Sequence, residues 1–213
     1  GSRAHGNLLL IVEGISRLVL RFELQHLGAL VSAAVMLEAT STMRVATGIA
    51  QIHARHPLTA RAAQKTLHEA YGGRFLLGLG VSHAPMIENV RKLSYASPYT
   101  QMVGYLAAMA EAPFTAYAAP DEPTTVIAAL GPRMLRLAAS AADGAHPYFT
   151  PVEHTAYARQ IIGAGKLLAP EQMVVLDDDR DRARALAVEH VVRYLQLPNY
   201  ADNLLRHGLD ESD

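Results

Sequence analysis

The segment 73–85, GRFLLGLGVSHAP, constrains this chain more than any other. An apolar run at 75–77 breaks into Gly-Leu-Gly at 78–80 and then turns polar at Ser82 and His83. This pattern is typical of a buried parallel strand whose C-terminal end opens onto a site. Glycines there would let a flat ligand approach the backbone, although an ordinary core strand that ends in a glycine turn has the same pattern.

Two further segments share this plan. The apolar segment 44–50 breaks at Gly48, and the segment 124–133 breaks at Gly131. A helical pattern follows each of them, and strands that alternate with helices predict βαβ units and a parallel sheet. Ligands of such sheets bind at the C-terminal strand ends, where all three glycine breaks fall.

Composition excludes several classes of protein. The length of 213 residues is enough for one large domain or two small ones, and a composition of 50% hydrophobic and 18% charged residues favours a large core over disorder. The net charge of −1 comes without a basic stripe, which argues against a nucleic-acid partner. The absence of cysteine excludes disulfides, thiolate metal sites and a cysteine nucleophile. No apolar run approaches the roughly 18 residues that span a bilayer. Gly1 and Ser2 resemble a tag-removal scar, and a cytoplasmic location is the default expectation.

Periodicity predicts six strands and six helices in a single domain. The strands are expected at 18–22, 43–49, 75–81, 125–130, 145–149 and 173–176, and the helices at 30–39, 58–71, 99–111, 132–142, 152–162 and from the acidic run 177–179 to about Leu195. The acidic run is interpreted as a solvated helix cap rather than a metal site. The segment 82–98 is expected to be a long loop, and 8–12 is either a remnant of a first strand or a helix.

Several longer segments carry a family resemblance. They are RVATGIAQIHARHP at 44–57, GGRFLLGLGVSHAP at 72–85, LGPRMLRLAASAADGAHPYF at 130–149, LLAPEQMVVLDDDRDRARALA at 167–187 and LPNYADNLLRHG at 197–208. With them, the chain resembles the luciferase-like monooxygenase superfamily, and within it the oxidoreductases that use the deazaflavin coenzyme F420. The resemblance implies an α/β fold of the (β/α)8 TIM-barrel type with the cofactor at the C-terminal face of the strands. Only about six parallel strands are recognisable, so the barrel is expected to be incomplete and closed by a second copy in a homodimer.

The resemblance also implies where the ring of the cofactor binds. At Gly48 and Ile49 the superfamily carries a bulge, often with a non-prolyl cis peptide, that supports the ring from behind. Gly80, Val81 and Ser82 would line the ring or the start of its tail. The alternative for Gly48 is a plain glycine at the end of a strand.

The phosphate tail of the cofactor is expected near Arg55 or near Gly131 and Arg133. A helix that begins beside an arginine attracts anions, although a packing turn with a solvated arginine fits the same sequence. Arg55 and its neighbour His56 either face the tail or cap the helix after Pro57. His53 and His56 have the spacing of a metal pair, but no carboxylate lies close to them in the sequence, and no metal is expected.

The catalytic candidates are His146, His83 and Glu23. His146 lies on a predicted strand and could point into the mouth of the site, or it could be a structural histidine. His83 could equally be a surface loop histidine. Glu23 follows the first predicted strand, where the resembling proteins often keep an acidic or histidine side chain. His26 lies beside it.

Two functions remain open from the sequence. The first is an oxidoreductase that transfers a hydride between F420, or alternatively FMN, and a small organic substrate. The second is a non-catalytic, cofactor-poor relative that acts as a dimeric binding or structural protein. Because the first and last strands are not recognised, weak cofactor occupancy and little turnover are expected. No nucleophile elbow, Walker A or G-x-G-x-x-G motif supports a competing chemistry.

Overall fold

The computed structural model describes residues 11–12, 18–21, 28–113 and 121–209. The chain divides into two compact units, Gly1–Ala128 and Ala129–Asp213. The expectation of a single domain therefore stays a prediction, and each unit is described by itself. None of the helices in the described ranges is long and apolar enough to cross a membrane.

The first unit alternates strands and helices. Its elements are β1 (Ile11–Val12), β2 (Leu18–Arg21), α1 (Ala29–Glu38), β3 (Arg44–Thr47), β4 (Ala50–Gln51), a 3-10 turn (Ile52–Ala54), α2 (Pro57–Ala70), β5 (Phe75–Gly80), a π-helical turn (Pro85–Val90), α3 (Pro98–Ala110) and β6 (Thr125–Ile127). Strands β2, β3, β5 and β6 pair in parallel in that order, β4 also pairs in parallel with β5, and β1 is antiparallel to β2. All six residues of β5 are buried, as the apolar run predicted for a covered parallel strand.

The first unit confirms four of the predicted strands and three of the predicted helices with small shifts at their ends. Pro57 and Pro98 stand at the first helical turn of α2 and α3, where a missing backbone N–H costs nothing. The prediction of a loop across 82–98 was wrong in part, because residues 85–90 form the π-helical turn and bury Ile87 within it. Residues 11–12 of the ambiguous segment 8–12 form a strand, and 8–10 lie outside the described residues.

The second unit contains two short parallel strands and four helices. They are α4 (Pro132–Ala141), β7 (Gly144–Ala145), α5 (Val152–Ile162), β8 (Leu167–Leu168), α6 (Arg180–Leu195) and α7 (Pro198–Arg206). Strand β7 pairs in parallel with β8, α4 packs against α5, and α6 packs against α7.

The strand predicted at 173–176 was wrong. These residues have no regular structure, and the side chains of Val174, Val175 and Leu176 are exposed. The parallel partner of β7 is β8 instead, because Gly144 and Ala145 align with Leu167 and Leu168. The strand predicted at 145–149 is also shorter than expected, since regular pairing covers only 144–145 and a single bridge joins Tyr148 to Glu171.

The acidic run before α6 acts as a helix cap, as the sequence predicted. Asp179 Oδ1 accepts hydrogen bonds from the backbone N–H groups of Asp181 and Arg182. The Asp177 carboxylate pairs with the Arg182 guanidinium and also accepts a hydrogen bond from the backbone N–H of Asp179. Both contacts lower the pKa of the Asp177 carboxyl. Helix α7 had no counterpart among the predicted helices, although it begins at Pro198 in the same manner as α2 and α3.

Candidate functional site

The first unit contains a bulge where β3 passes into β4. Ala46 pairs with Leu76 and Ala50 pairs with Leu79, so residues 47–49 lie opposite only 77–78 of β5. One extra residue in a strand is the definition of a β-bulge, and bulges re-aim the backbone next to binding sites. The peptide bond between Gly48 and Ile49 is cis. The bulge and cis bond implied by the family resemblance are therefore both present.

Thr47 maintains the hydrogen bonding that the bulge interrupts. Its Oγ1 donates to the carbonyl of Gly78 over 2.7 Å and accepts from the N–H of the same residue over 2.9 Å. The Thr47 side chain is completely buried. One hydroxyl thus satisfies a buried donor and a buried acceptor of β5 that have lost their ladder partners. Nothing in the local sequence distinguished this threonine from an ordinary strand residue.

The glycines of β5 make room for the bulge. A Cβ at Gly78 would lie 1.8 Å from the Thr47 carbonyl oxygen, and a Cβ at Gly80 would lie 2.6 Å from Ile49 Cγ1. The backbone oxygen opposite Gly78 excludes any larger residue there, whereas a larger residue at Gly80 would force the Ile49 side chain to move. The sequence left open whether these glycines allow close approach of a ligand or end an ordinary core strand. The structure shows the neighbouring strand against both of them, and the role of Gly80 in cofactor binding stays a prediction.

The residues that follow β5 lie at the same edge as those that follow β4, because Gln51 pairs with Gly80 in parallel register. Val81, Ser82 and His83 are all partly exposed there. Ser82 has a φ of 60°, in the left-handed region, and its carbonyl accepts a hydrogen bond from the Tyr95 hydroxyl over 3.0 Å. This turn directs the chain from the strand into the π-helical turn.

Tyr95 and His53 connect this turn to the end of β4. Their rings lie 5.8 Å apart, and His53 Nε2 lies 2.9 Å from Gln101 Oε1 in a hydrogen bond. Burial raises the pKa of the Tyr95 hydroxyl. His53 Nδ1 is buried and has no hydrogen-bond partner among the described residues.

A pocket of about 350 Å³ opens at this edge. It is lined by Gln51, His53, Ala54, Met86, Val90, Arg91 and Leu93. The Arg91 Nε donates to Gln51 Oε1 over 2.5 Å, which fixes both polar side chains at its wall. The pocket is large enough for a small-molecule ligand. The predicted cofactor residues are not among those that line it, so sequence reasoning missed this surface.

Arg55 and His56, which follow the 3-10 turn, have different structural roles. Arg55 Nη1 donates to the backbone carbonyl of Gln51, and the Arg55 carbonyl accepts from the Tyr105 hydroxyl. His56 Nδ1 accepts from the Leu58 N–H over 3.3 Å, so His56 caps α2. The capping role that the sequence offered as one alternative is therefore confirmed for His56.

In the second unit, Gly131 and Arg133 stand at the beginning of α4. Gly131 is the N-cap residue, Pro132 follows at the first helical position, and the Arg133 side chain is exposed. Arg206 Nη1 of α7 lies 4.0 Å from the position that a Cβ of Gly131 would take. Sequence reasoning missed Arg206 because α7 was not predicted as an element.

His146 is buried beside an acidic residue that the sequence did not suggest. It is only 2% exposed, its Nδ1 lies 2.7 Å from the Ala169 carbonyl oxygen, and its Nε2 lies 3.4 Å from Glu171 Oε2. Burial raises the pKa of the Glu171 carboxyl. The pair is closed off from solvent, and a catalytic role for His146 stays a prediction. Glu23 and His26 lie outside the described residues.

The parallel strands followed by helices, with a bulge at one C-terminal edge, define an α/β protein built on the plan of a (β/α)8 barrel. The model of the luciferase-like monooxygenase family matches residues 21–212, and the chain belongs to this family. No match was found among curated protein sequences.

Three solved structures illustrate the similarity. The coenzyme F420-dependent tetrahydromethanopterin reductase from Methanopyrus kandleri aligns over 92% of this chain and 68% of its own, with 18% identity and a TM-score of 0.68. An F420-dependent secondary alcohol dehydrogenase in complex with an F420–acetone adduct aligns over 85% and 67%, with 16% identity and a TM-score of 0.66. The oxygenating constituent of 3,6-diketocamphane monooxygenase from the CAM plasmid of Pseudomonas putida, in complex with FMN, aligns over 94% and 72%, with 13% identity and a TM-score of 0.64.

These likenesses establish the fold, which is an incomplete TIM-barrel type of the luciferase-like kind. Of three further solved structures, the chain spans only 46%, 61% and 51% of the length.

Proposed function

We propose that this chain is an oxidoreductase that binds the deazaflavin F420, with FMN as the alternative, and transfers a hydride between the cofactor and a small organic substrate. Membership of the luciferase-like monooxygenase family supports an oxidoreductase. Two of the similar structures are named as F420-dependent, and a third contains FMN. A homodimer in the cytoplasm is part of the same proposal, and sedimentation tests the dimer.

The observation that carries the proposal is the bulge at the C-terminal edge of β3 to β5. It brings the partly exposed Ile49 against Gly80, at the edge where Val81 to His83 and the pocket also begin. Parallel α/β folds bind their ligands at this edge. We assign the ring of the cofactor to the surface formed by Gly48, Ile49, Gly80 and Val81.

The residues at this edge fit a flat heteroaromatic ring. Such a ring presents carbonyl and N–H groups along its edge and needs a few well-placed polar partners on an otherwise apolar surface. The orphaned His53 Nδ1 offers an unused polar atom at the wall of the pocket. Ser82 and His83 are partly exposed where the strand ends, and the apolar wall is supplied by Met86 and Val90.

Each group contributes one defined property to this site. When bound, the cofactor supplies a ring carbon that accepts or donates a hydride. Ile49 would support the ring from one face, the Ser82 hydroxyl would donate to a ring oxygen, and the His83 imidazole would offer a nitrogen that can donate or accept a hydrogen bond. His146 and Glu23 complete the catalytic candidates, and both stay predictions.

The phosphate of the cofactor is assigned to Arg55 or to Gly131 and Arg133. Charge-assisted hydrogen bonds to phosphate contribute roughly 1.5–3 kcal/mol. Replacing the arginine that makes this contact should therefore weaken binding by about tenfold or more, with a larger loss at low salt.

The test is a titration of oxidised and reduced F420, and separately of FMN, into the purified protein, followed by absorbance and fluorescence. Arg55→Ala and Arg133→Ala are compared with Arg193→Ala, an exposed arginine of α6 whose partner is Glu189. Loss of affinity in one of the first two variants only would support the assignment. Equal affinity in all three would overturn the phosphate assignment, and absence of binding by either cofactor would favour a non-catalytic relative instead.

A further inference from the structure

A buried histidine and a buried glutamate face each other just beyond the ends of β7 and β8. His146 is 2% exposed, Glu171 is 4% exposed, and His146 Nε2 lies 3.4 Å from Glu171 Oε2. Backbone hydrogen bonds continue the pairing of the two strands into this region. The Ala169 N–H donates to the Ala145 carbonyl over 3.0 Å, and the Glu171 N–H donates to the Pro147 carbonyl over 2.9 Å. The backbone therefore holds the two side chains against each other.

The second nitrogen of His146 determines which tautomer faces Glu171. His146 Nδ1 lies 2.7 Å from the Ala169 carbonyl oxygen, and because a carbonyl can only accept, Nδ1 carries a proton. In a neutral ring, Nε2 then has no proton and is an acceptor. An ionised carboxylate is also an acceptor only. Two acceptors in contact repel each other, so the contact is favourable only when a further proton lies on His146 Nε2 or on Glu171.

Burial makes this further proton necessary. Within the described ranges, neither carboxyl oxygen of Glu171 has a hydrogen-bond partner, and neither has His146 Nε2. A buried carboxylate without a neutralising partner is costly, because the interior does not replace the water that it loses. With one further proton, the pair carries no net charge in either of its two forms. Burial raises the pKa of the Glu171 carboxyl, which agrees with retention of this proton.

The surrounding elements do not supply the charge in its place. The titratable and charged groups of this region are Tyr148 beyond β7, His190, Arg193 and Tyr194 of α6, and Tyr200 of α7. Burial, then Tyr194, and then the charge of Glu171 raise the pKa of Tyr148 and of Tyr200, so both phenols stay neutral. His190 Nε2 bonds to the Tyr148 hydroxyl over 2.7 Å, and burial followed by the charge of Arg193 lowers the pKa of His190. In the part of the chain that the structure describes, the partner of the Glu171 carboxyl is His146.

We propose that His146 and Glu171 form a single proton-binding site, which takes up about one proton when the chain folds at neutral to alkaline pH. In the unfolded chain, a glutamate with a pKa of about 4.3 and a histidine with a pKa of about 6.5 are both deprotonated above about pH 7.5. The folded chain binds more protons in this range, so its stability decreases as the pH rises. This proposal is independent of the proposed function. It makes the C-terminal ends of β7 and β8 sensitive to alkaline pH.

Urea denaturation tests the proposal at several values between about pH 7.5 and pH 9, with the unfolding equilibrium constant as the readout. Wild type is compared with Glu171→Gln, because glutamine has the shape of a protonated glutamate and can donate to His146 Nε2 without a titrating proton. The ratio of the two constants cancels the groups that titrate alike in both proteins. Glu189→Gln is the matched control, since Glu189 is an exposed residue of α6 that pairs with Arg193.

We expect the unfolding constant of wild type, divided by that of Glu171→Gln, to rise about tenfold per pH unit while the pair keeps its proton. The same ratio for Glu189→Gln should stay constant. A ratio for Glu171→Gln that does not change with pH would overturn the proposal, because a glutamate with a purely structural role takes up no proton on folding.

Nuclear magnetic resonance of wild type decides the question even if Glu171→Gln does not fold. At about pH 8, the chemical shifts of the Glu171 carboxyl carbon and of the His146 ring nitrogens report where protons lie. A protonated carboxyl or a doubly protonated imidazole ring would support the proposal. An ionised carboxylate beside a neutral imidazole would overturn it.

Discussion

Replacing Thr47 by valine should destabilise the first unit more than its single lost hydroxyl suggests. The Thr47 Oγ1 satisfies both the N–H and the carbonyl of Gly78 in a fully buried place. Valine has nearly the same shape but can satisfy neither group. The substitution therefore removes two hydrogen bonds and leaves a buried donor and a buried acceptor without partners.

The magnitude follows from these two groups. A buried group that loses its partner costs about 1–3 kcal/mol. The added methyl group offsets about 0.8 kcal/mol by burial of apolar surface. We expect the unfolding free energy of Thr47→Val to fall by about 2–4 kcal/mol. Thr47→Ser keeps the hydroxyl and should lose only about 1 kcal/mol through the missing methyl group.

Urea denaturation followed by circular dichroism measures the unfolding free energy of both variants. The slope of this free energy against urea concentration should be the same as in wild type, so that a shift of the midpoint reports stability. Thr66→Val is the matched control, because the Thr66 side chain is exposed and its Oγ1 bonds only to the Ala62 carbonyl in the same helix. The control should stay within about 0.5 kcal/mol of wild type. Equal losses in Thr47→Ser and Thr47→Val would refute the reasoning, since the effect would then not come from the hydroxyl.

Three further expectations follow from single contacts. Gly78→Ala should prevent stable folding because its Cβ would meet a backbone oxygen at 1.8 Å, whereas Gly104→Ala, in the middle of α3 where the space is open, should stabilise the protein by about 0.5–1 kcal/mol. Soluble yield and thermal melting measure both variants, and a well-folded Gly78→Ala would contradict this account. Gln64→Leu should cost about 3 kcal/mol in urea denaturation, because the buried Gln64 Nε2 donates to oxygens of residues 123–125, and a neutral result would mean that these oxygens find other donors. Burial holds the pKa of His154 below its ordinary value of about 6.5, so the unfolded chain binds more protons than the folded one. The contribution of His154 to the unfolding free energy is therefore fully present above about pH 6.5, and the unfolding free energy decreases as the pH falls below that value. His154→Gln should show a smaller decrease between pH 7 and pH 5 in the same assay, and an unchanged pH dependence would exclude His154 as its source.

The sequence by itself determined the elements whose signals are local. The apolar run of β5 predicts a buried strand, and Pro57, Pro98 and Pro132 mark three helix starts because proline fits a first turn whose N–H groups have no partner. Asp179 before α6 is a cap for the same reason. The family resemblance correctly implied the bulge at Gly48 and Ile49, although periodicity alone could not distinguish it from a plain strand end.

Only the tertiary structure decided features that depend on partners distant in the sequence. The apolar residues 173–176 have the composition of a strand, but Leu167 and Leu168 pair with β7 instead. An apolar run does not indicate which other strand, if any, will pair with it. Thr47 and Glu171 acquire their importance from groups 31 and 25 positions away, Gly78 and His146. Gly78 itself was recognised as a special position from the sequence. Glycine is required there because a Cβ would lie 1.8 Å from the Thr47 carbonyl oxygen of the neighbouring strand, and only the packed fold brings that oxygen so close.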